Sequence, residues 1–464
     1  MPSLCLNPKH KPELDAGFCP AALWNREFRN AVRQAGRAVP LTIALVRKDQ
    51  TVSVFRTSVL PAAAASAELN TRYVERLVKF LLWQKGGYQI LISGDPQVAA
   101  AIARIYSPGG ARAFDFHFMG EKVYDHPMEI RFCQAEDMPA PHEMARALGR
   151  HLDGCRVGFD LGASDRKSAA LLDGKVVFLD EVPWNPSSQK DPSYHIQGID
   201  DSIRRAAEKL PRVDAIGGSA AGIYINNEAR VASLFRGIGE EDFKKRIRGI
   251  FLELKKRWNN VPFEVINDGE VTALAGSMAM NDNAVLGISM GSSQAAGYVT
   301  TEGTITPWLN ELAFVPVDYR PDAPADEWSG DVGCGVQYFS QQAVGRLAPR
   351  AGIDFPAGMP LPERLAEVQS MMKSGDARAA RIFETIGTYF GYAVAHYSDF
   401  YVFRNLLVLG RVTSGQGGEI IIHKAKEVLA DEFPALAEKI EMRTPDERDK
   451  RLGQAVAAAS LPVL

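Results

Sequence analysis

The sequence predicts an α/β protein in which two domains face each other across a cleft and a further α/β unit precedes them. Its last two thirds carry six segments in which small residues or an acid directly follow an apolar run typical of a buried strand. Glycines at a strand end let the backbone approach a ligand closely. The 464 residues, 46% hydrophobic and 23% charged, suffice for two or three cores. The six segments are VGFDLGAS at 157–164, GGSAAGIYIN at 217–226, VINDGEVTALAG at 265–276, GISMGSSQAAGYV at 287–299, NELAFVPV at 310–317 and LLVLGRVTSGQGG at 406–418.

The first unit, residues 1–150, shows its own alternation of strands and helices. The apolar runs at 41–46 and 52–60 flank the polar RKDQT and predict a hairpin. Helical spacing of apolar residues follows over 69–83, and QILISG and QVAAAIARIY then predict a strand and a helix. No pair of short helices joined by a tight turn occurs here, so the pattern does not indicate a helix-turn-helix.

Composition excludes several classes of function. Lys and Arg number 53 and Asp and Glu number 56, a net charge of −3, so nothing electrostatic favours nucleic acid as a partner. No apolar stretch reaches the length of a membrane span, and the first residues lack the hydrophobic core of a secretion signal, so a cytoplasmic location is expected. The five cysteines are scattered without metal-ligand spacing, which argues against disulfides and a zinc knuckle.

Two turns have the composition of phosphate-binding turns. The first follows the strand VGFD, opens a predicted meander of three antiparallel strands, and carries Asp160, Gly162 and Ser164. Backbone amides and a hydroxyl in such a turn bind phosphate oxygens, and the acid reaches magnesium directly or through water. The second turn, Gly291, Ser292 and Ser293, follows a strand that ends at Met290, with the next strand expected to resume at Gly297.

Asp268 lies between a predicted strand and a predicted helix. An amphipathic helix over 240–258 leads into the strand VPFEVI, and VTALAG begins the next helix. A carboxylate at this position points into a cleft, where it can accept the proton of a hydroxyl that attacks phosphorus. Local sequence alone favours a helix N-cap for Asp268 over catalysis, and the order of Asp268 between the two phosphate-binding turns favours the catalytic role.

The order of DLGAS, GSAAG, NDGEVTALAG, MGSSQAAG, NELAFVPV and VLGRVTSG resembles the ROK family of sugar kinases and repressors, within the superfamily of actin, sugar kinases and heat-shock chaperones. The resemblance covers about residues 155–464. It implies two actin-like, ribonuclease H-like domains around the cleft, the first comprising 151–265 and a C-terminal helix within 445–464, and the second comprising 266–444. The role of residues 1–150 stays unassigned.

The resemblance implies ATP and Mg²⁺ as cofactors, a sugar or sugar derivative as substrate, and a homodimer, although no segment marks an interface. Asp268 would be the catalytic base, and Asp160 would hold magnesium, directly or through water. The residues assigned to the sugar are Ser219, Gly222, Asn267 and Glu311. Those assigned to nucleotide and phosphates are Asp160, Gly162, Ser164, Gly291, Ser292, Ser293, Gly410 and Arg411.

Departures from the family pattern concern the sugar and zinc motifs. Phe314 stands where the family has a zinc-binding histidine, and only Cys334 remains of three cysteines, so zinc is not expected. Val336 or Gln337 replaces an acid that usually contacts the sugar. Arg411 replaces a glycine, and it either binds the nucleotide or blocks its pocket.

Two functions follow as hypotheses. The first is ATP-dependent phosphorylation of a sugar or sugar-like hydroxyl, favoured by the presence of Asp160 and Asp268. The second is a sugar or nucleotide sensor without catalysis that reports through residues 1–150, favoured by the replacements at Phe314 and Val336. A ROK-type repressor is disfavoured because the sequence lacks a helix-turn-helix.

Overall fold

A computed structural model describes residues 4–143, 148–444 and 447–464, with backbone only for 447–452. The strands are β1 Val39–Val46, β2 Val52–Val59, β3 Gln89–Ser93, β4 Glu129–Phe132, β5 Cys155–Leu161, β6 Asp165–Leu172, β7 Lys175–Pro183, β8 Ala215–Ala220, β9 Ile223–Ile225, β10 Glu228–Val231, β11 Phe263–Asn267, β12 Val285–Met290, β13 Gln294–Val299, β14 Asn405–Leu409 and β15 Glu441–Arg443.

The helices are α1 Ala21–Gln34, α2 Ala64–Lys85, α3 Pro96–Ile105, α4 Ala113–His117, α5 Pro192–Ala207, α6 Glu240–Asp242, α7 Ile250–Arg257, α8 Asp268–Met280, α9 Gln341–Leu347, α10 Leu361–Lys373, α11 Ala377–Tyr397, α12 Gln416–Glu432, α13 Pro434–Ala437 and α14 Glu447–Ala459. Across the described residues, no helix combines the length and apolar character that crossing a membrane requires.

The N-terminal unit, residues 1–150, contains a four-stranded sheet in the order β2-β1-β3-β4. The predicted hairpin is confirmed, with Val46 opposite Val52 next to the turn. The predicted helix is also present, although it begins at Ala64 rather than at Leu69. Sequence analysis missed α1, whose Trp24, Phe28 and Val32 recur at helical spacing and are buried.

One hydrophobic core joins the N-terminal unit to the C-terminal half of the chain. The ring centroids of Phe18 and Tyr389 lie 4.6 Å apart, and those of Phe80 and Phe400 lie 3.7 Å apart in a stacked arrangement. Both contacts belong to a continuous cluster that includes α1, α2, β12, α11 and α12. The N-terminal unit therefore packs as part of this core, and the division at residue 150 stays a prediction.

A buried ionic network lies at the same boundary. Lys79 Nζ is 2.7 Å from Asp115 Oδ1 and 3.5 Å from Asp331 Oδ2, and all three side chains are at most 1% exposed. Burial by itself lowers the pKa of Lys79, but the two carboxylates more than reverse this effect. The other members are Glu75, Arg76 and Arg112, which give three cations and three anions.

A five-stranded sheet in the order β11-β8-β5-β6-β7 follows the N-terminal unit. The predicted meander is confirmed, because β5, β6 and β7 pair antiparallel in succession. Strands β5, β8 and β11 run parallel. Helix α14 returns to this sheet and lies so close that a Cβ on Gly158 or Gly217 would meet the carbonyl oxygen of Ala455 or Ala458, at 1.9 Å and 1.7 Å.

The last sheet has the order β13-β12-β14-β15. The prediction that its second strand resumes at Gly297 is wrong, because β13 begins at Gln294, which pairs with Met290. The Gly291 amide donates to the Ser293 carbonyl at 2.9 Å, so three residues complete the turn. The helix predicted over 240–258 is interrupted by a π-helical turn at Phe243–Ile247 and by Gly249, and α7 begins only at Ile250.

Substituting Gly217 with alanine will destabilise the five-stranded sheet by roughly 1–3 kcal/mol, because the added Cβ must displace the backbone of α14. Urea unfolding of both proteins measures the difference in the free energy of unfolding. Gly239→Ala is the matched control, since a Cβ there meets nothing within 4 Å. Equal stability of the two variants would contradict the close approach of α14.

Replacing Lys79 by methionine will lower the free energy of unfolding by about 3–5 kcal/mol, because Asp115 and Asp331 then stay buried without their ammonium partner. The double variant Lys79→Met/Asp115→Leu should recover part of this loss. Lys244→Met removes an exposed pair with Glu240 and should leave stability nearly unchanged. A loss for Lys79→Met as small as that for Lys244→Met would show that the network does not stabilise the fold.

Candidate functional site

The carboxyl ends of β5, β8 and β11 meet at one edge of the five-stranded sheet. Asp160 on β5 pairs with Ser219 on β8, and Ala220 pairs with Asn267 at the end of β11. Ligands of open α/β sheets bind outside the carboxyl ends of parallel strands. Register alone thus brings together three segments that the sequence separates by about fifty residues each.

Asp160 lies at the centre of this edge and is 4% exposed. The Ser219 hydroxyl donates to its Oδ1 at 2.6 Å, and Lys167 Nζ lies 3.5 Å from its Oδ2. Burial raises the pKa of Asp160 above its usual range, although Lys167 and Ser219 oppose this. Ser219 is fully buried, so its hydroxyl serves Asp160 here, and its predicted contact with a sugar stays a prediction.

Hydrogen bonds within and around the turn after β5 define its shape. The Gly162 amide donates to the Asp165 carbonyl at 2.9 Å, and the Trp184 indole donates to the Gly162 carbonyl at 2.8 Å. The hydroxyl of the exposed Ser164 donates to Asp165 Oδ2 at 3.0 Å. The predicted phosphate turn is therefore a preformed structure with Ser164 at its surface.

Helix α8 begins directly after β11, and its first residue is Asp268. The N-cap is Asn267 and not Asp268, because Asn267 Oδ1 accepts from the Gly269 amide at 2.7 Å while its Nδ2 donates to the Gly222 carbonyl at 2.8 Å. Burial, and then the charge of Asp160, raise the pKa of Asp268 to about 6.

Glu311 is close enough to Asp268 for their charges to interact. Burial, followed by the charge of Asp268, raises the pKa of Glu311 to about 7. Its backbone is held by the N-terminal unit, because the amides of Asn310 and Glu311 donate to the carbonyls of Gln84 and Trp83 at 2.9 Å and 3.0 Å. The C-terminus of α2 thus fixes the segment that carries this acid.

Sequence analysis missed a fourth acid, Glu270. It is 4% exposed, accepts from Asn310 Nδ2 and from the Tyr298 amide, and burial raises its pKa to about 8. The Tyr401 hydroxyl completes the network by donating to Asn310 Oδ1 at 2.7 Å. The sequence gives only a weak signal for Glu270, because acids are common in the first turn of any helix, where they interact favourably with the helix dipole.

The C-terminal sheet presents two turns side by side. Strands β12 and β14 are parallel neighbours, and Gly291 and Gly410 directly follow them. Gly410 has a φ of +101°, and a Cβ there would lie 2.3 Å from the Met290 carbonyl oxygen, so the position requires glycine. Ser292, Ser293 and Arg411 are exposed at these turns.

The region of the altered zinc motif is apolar. Phe314 lies in an aromatic group, with its ring centroid 4.4 Å from that of Trp83 and 5.1 Å from that of Trp328. Cys334 and Val336 are buried beside it. Within the residues that the structure describes, no three His, Cys, Asp or Glu side chains are grouped so as to hold a metal ion.

Solved structures share this fold. A ROK hexokinase from Thermus thermophilus superposes with a TM-score of 0.51 at 17% identity over 66% of this chain and 97% of its own. A ROK family transcriptional regulator, a homologue of the E. coli MLC protein, superposes with a TM-score of 0.50 at 17% identity over 66% of this chain and 78% of its own. No family model and no curated protein matches the chain. The chain therefore has the two-domain actin-like fold of ROK proteins, which confirms the predicted fold class.

Asp268→Asn should stabilise the protein, and the gain should be larger at pH 8 than at pH 5 by about 1 kcal/mol. The raised pKa means that the folded state holds the proton more tightly than the unfolded state. The contribution of Asp268 to stability is therefore most favourable below about pH 4, becomes less favourable as the pH rises to about 6, and is constant above. Urea unfolding at both pH values measures this, with Asp354→Asn, an exposed aspartate, as control. A gain independent of pH would contradict the raised pKa.

Proposed function

We propose that this chain is a ROK family member that transfers a phosphoryl group from ATP to a hydroxyl of a sugar or sugar derivative, with Asp268 as the general base. The observation that carries the proposal is the position of Asp268: it begins a helix at the carboxyl edge of the parallel strands, beside Asp160 and Glu311, with a pKa of about 6. A base with this pKa is ionised at neutral pH and still accepts a proton readily.

Glu311 and Asn267 support the orientation of the acceptor. With a pKa of about 7, Glu311 is protonated in part of the molecules at neutral pH and can donate a hydrogen bond to a sugar oxygen or accept one from a hydroxyl. Asn267 holds the Gly222 carbonyl and the Gly269 amide, so it positions the backbone at Asp268, whose own Oδ1 accepts from the same Gly269 amide at 3.0 Å. Asn267 is therefore proposed as a positioning residue as well as a sugar contact.

The residues around Asp160 fit a magnesium ion. Mg²⁺ needs only one or two protein carboxylates because phosphate and water oxygens complete its octahedron. Asp160 Oδ2 meets this need, and Asp165 lies beside it through their shared partner Lys167. When bound, the ion neutralises charge on the transferring phosphoryl group. Lys167 itself can turn from the carboxylates toward phosphate oxygens.

The turns of the C-terminal sheet are proposed for the nucleotide. Backbone amides and hydroxyls are offered at the end of β12 by Gly291, Ser292 and Ser293. At the end of the neighbouring β14, Gly410 has no side chain, so a nucleotide can approach the backbone closely. The exposed Arg411 lies at the same edge, where its guanidinium suits a base or a phosphate.

A sensor without catalysis is the second candidate, and two observations favour it. The Lys167 ammonium already lies between the carboxylates of Asp160 and Asp165, at the position proposed for the magnesium ion that phosphoryl transfer requires. Phe314 packs among aromatic rings and offers no hydrogen bond to a sugar hydroxyl. A sensor of this kind binds sugar or nucleotide and reports through the N-terminal unit, which contacts Glu311 directly.

Release of ADP from ATP and Mg²⁺ should depend on one class of acceptor among hexoses, hexosamines, N-acetylhexosamines and polyols. Asp268→Asn should lower kcat by about 10²–10⁴-fold, because the attacking hydroxyl loses its base. For the unaltered protein, kcat/KM should rise with pH up to about 6 and then level off, as Asp268 ionises. Asp354→Asn is the control and should keep full turnover.

Turnover by Asp268→Asn equal to that of the unaltered protein would exclude Asp268 as the base. No turnover on any acceptor, together with calorimetric binding of a sugar or of ATP, would favour the sensor. Absence of both turnover and binding would contradict both candidates.

A further inference from the structure

A cavity of about 460 Å³ lies along the outer edge of β11, between three parts of the chain. Strand β11 is the last strand of the five-stranded sheet, so this edge has no further strand beside it. The N-terminal unit contributes Arg47, Lys48 and Tyr124, the β9–β10 hairpin covers a second side, and residues 305–309 cover a third. This volume is typical of small-molecule sites, which are about 300–1,000 Å³.

The cavity reaches the residues around Asp268. Gly222 and Asn267 form part of its wall, and their side-chain and backbone atoms hydrogen bond to each other at the start of α8. Tyr224 also lines the cavity, and burial together with the nearby charge of Asp268 raises its pKa. An acceptor that places a hydroxyl at Asp268 therefore has the cavity directly beside it.

Asn227, Arg47 and Arg230, the buried amide and guanidinium groups of the wall, already have partners within the protein. Asn227 Nδ2 donates to the Phe263 carbonyl at 2.8 Å, and its Oδ1 accepts from the Val265 amide at 2.7 Å. The wall arginines pair as follows: Arg47 with Thr51, Ser53 and Glu143, and Arg230 with Asp125 and Glu228. Among the buried side-chain atoms of these described wall residues, Arg230 Nε and Thr306 Oγ1 lack a partner, and both are covered by protein and do not reach the cavity space.

Several apolar side chains of the wall are only partly covered by protein, as are some of its polar side chains. The apolar ones include Tyr224, Ile225, Leu252, Ile266, Pro307 and Trp308. Trp308 is fixed before any ligand binds, because its indole donates to Glu143 at 2.9 Å and its ring stacks on Tyr298 at a centroid distance of 5.6 Å. Partly exposed apolar surface in a concave, preformed site gains free energy when an apolar group covers it.

We infer that the cavity receives an apolar substituent of the acceptor, so that the substrate is a sugar carrying an aromatic or alkyl group rather than a free monosaccharide. The inference rests on the proposed phosphoryl transfer. The N-terminal unit then has a role at the active site: it closes the side of the cavity that the two actin-like domains leave open.

The test compares phenyl and methyl glycosides of whichever sugar is the best acceptor. The kcat/KM of the phenyl glycoside should exceed that of the methyl glycoside by about tenfold or more, since each buried methylene is worth about 10–200-fold in a hydrophobic pocket. In Ile225→Arg the long cationic side chain enters the cavity, so the kcat/KM values of the phenyl and methyl glycosides should become about equal. Leu252→Arg repeats the test from α7, in case one variant fails to fold.

Val177→Arg is the matched control, because Val177 is an apolar residue, 42% exposed, on the outer strand β7. It should keep the preference for the phenyl glycoside. Equal kcat/KM for both glycosides, unchanged in Ile225→Arg, would overturn the inference and leave the kinase intact. Calorimetric binding of the phenyl glycoside that Ile225→Arg abolishes, without transfer to any acceptor, would instead support the cavity and contradict the kinase.

Discussion

The parallel register of β5, β8 and β11 is the constraint on which the candidate site depends. It places Asp160 opposite Ser219 and Ala220 opposite Asn267, so the acid, its hydroxyl partner and the start of α8 meet at one edge. A slip of one residue would turn Asp160 to the other face of the sheet. Gly158 in β5 and Gly217 in β8 leave room for the backbone of α14. The C-terminal helix can therefore pack on these strands and stabilise their register only because the two positions lack side chains.

The N-terminal unit is the second structural determinant of the site, although its sequence carries none of the six motifs. Its α2 places backbone carbonyls under Asn310 and Glu311, and its rings share a core with α11. The buried network around Lys79 contains equal numbers of cations and anions, so the charged groups at this boundary find their partners within the protein rather than in solvent. The position of Glu311 consequently depends on residues that lie more than two hundred positions earlier in the chain.

The spacing of apolar residues within short segments was sufficient to predict several strands and helices. Apolar periodicity predicted the β1–β2 hairpin, the β5–β6–β7 meander and the α/β class, and strand ends predicted the positions of Asp160 and Asp268. The features that the sequence analysis missed depend on distant contacts. Glu270 is notable only because Asn310 and Tyr298 surround it, and the side-chain amide of Asn267, which caps α8 locally, is held by the distant Gly222 carbonyl. The roles of these residues toward a ligand stay predictions.

Four acids close together at one edge repel each other when ionised, which lowers stability. The structure reduces this repulsion at Asp160 by pairing it with Lys167 and Ser219. At Asp268, Glu311 and Glu270 the acids instead keep their protons to higher pH, since their pKa values rise to about 6, 7 and 8. Raising the pKa of an acid by one costs its ionised form about 1.4 kcal/mol. Interacting acids titrate as a group, so near neutral pH the group retains protons mainly on Glu270 and Glu311 and leaves Asp268 ionised. This order of ionisation suits the proposed role of Asp268 as general base, because a base must be charged to accept a proton.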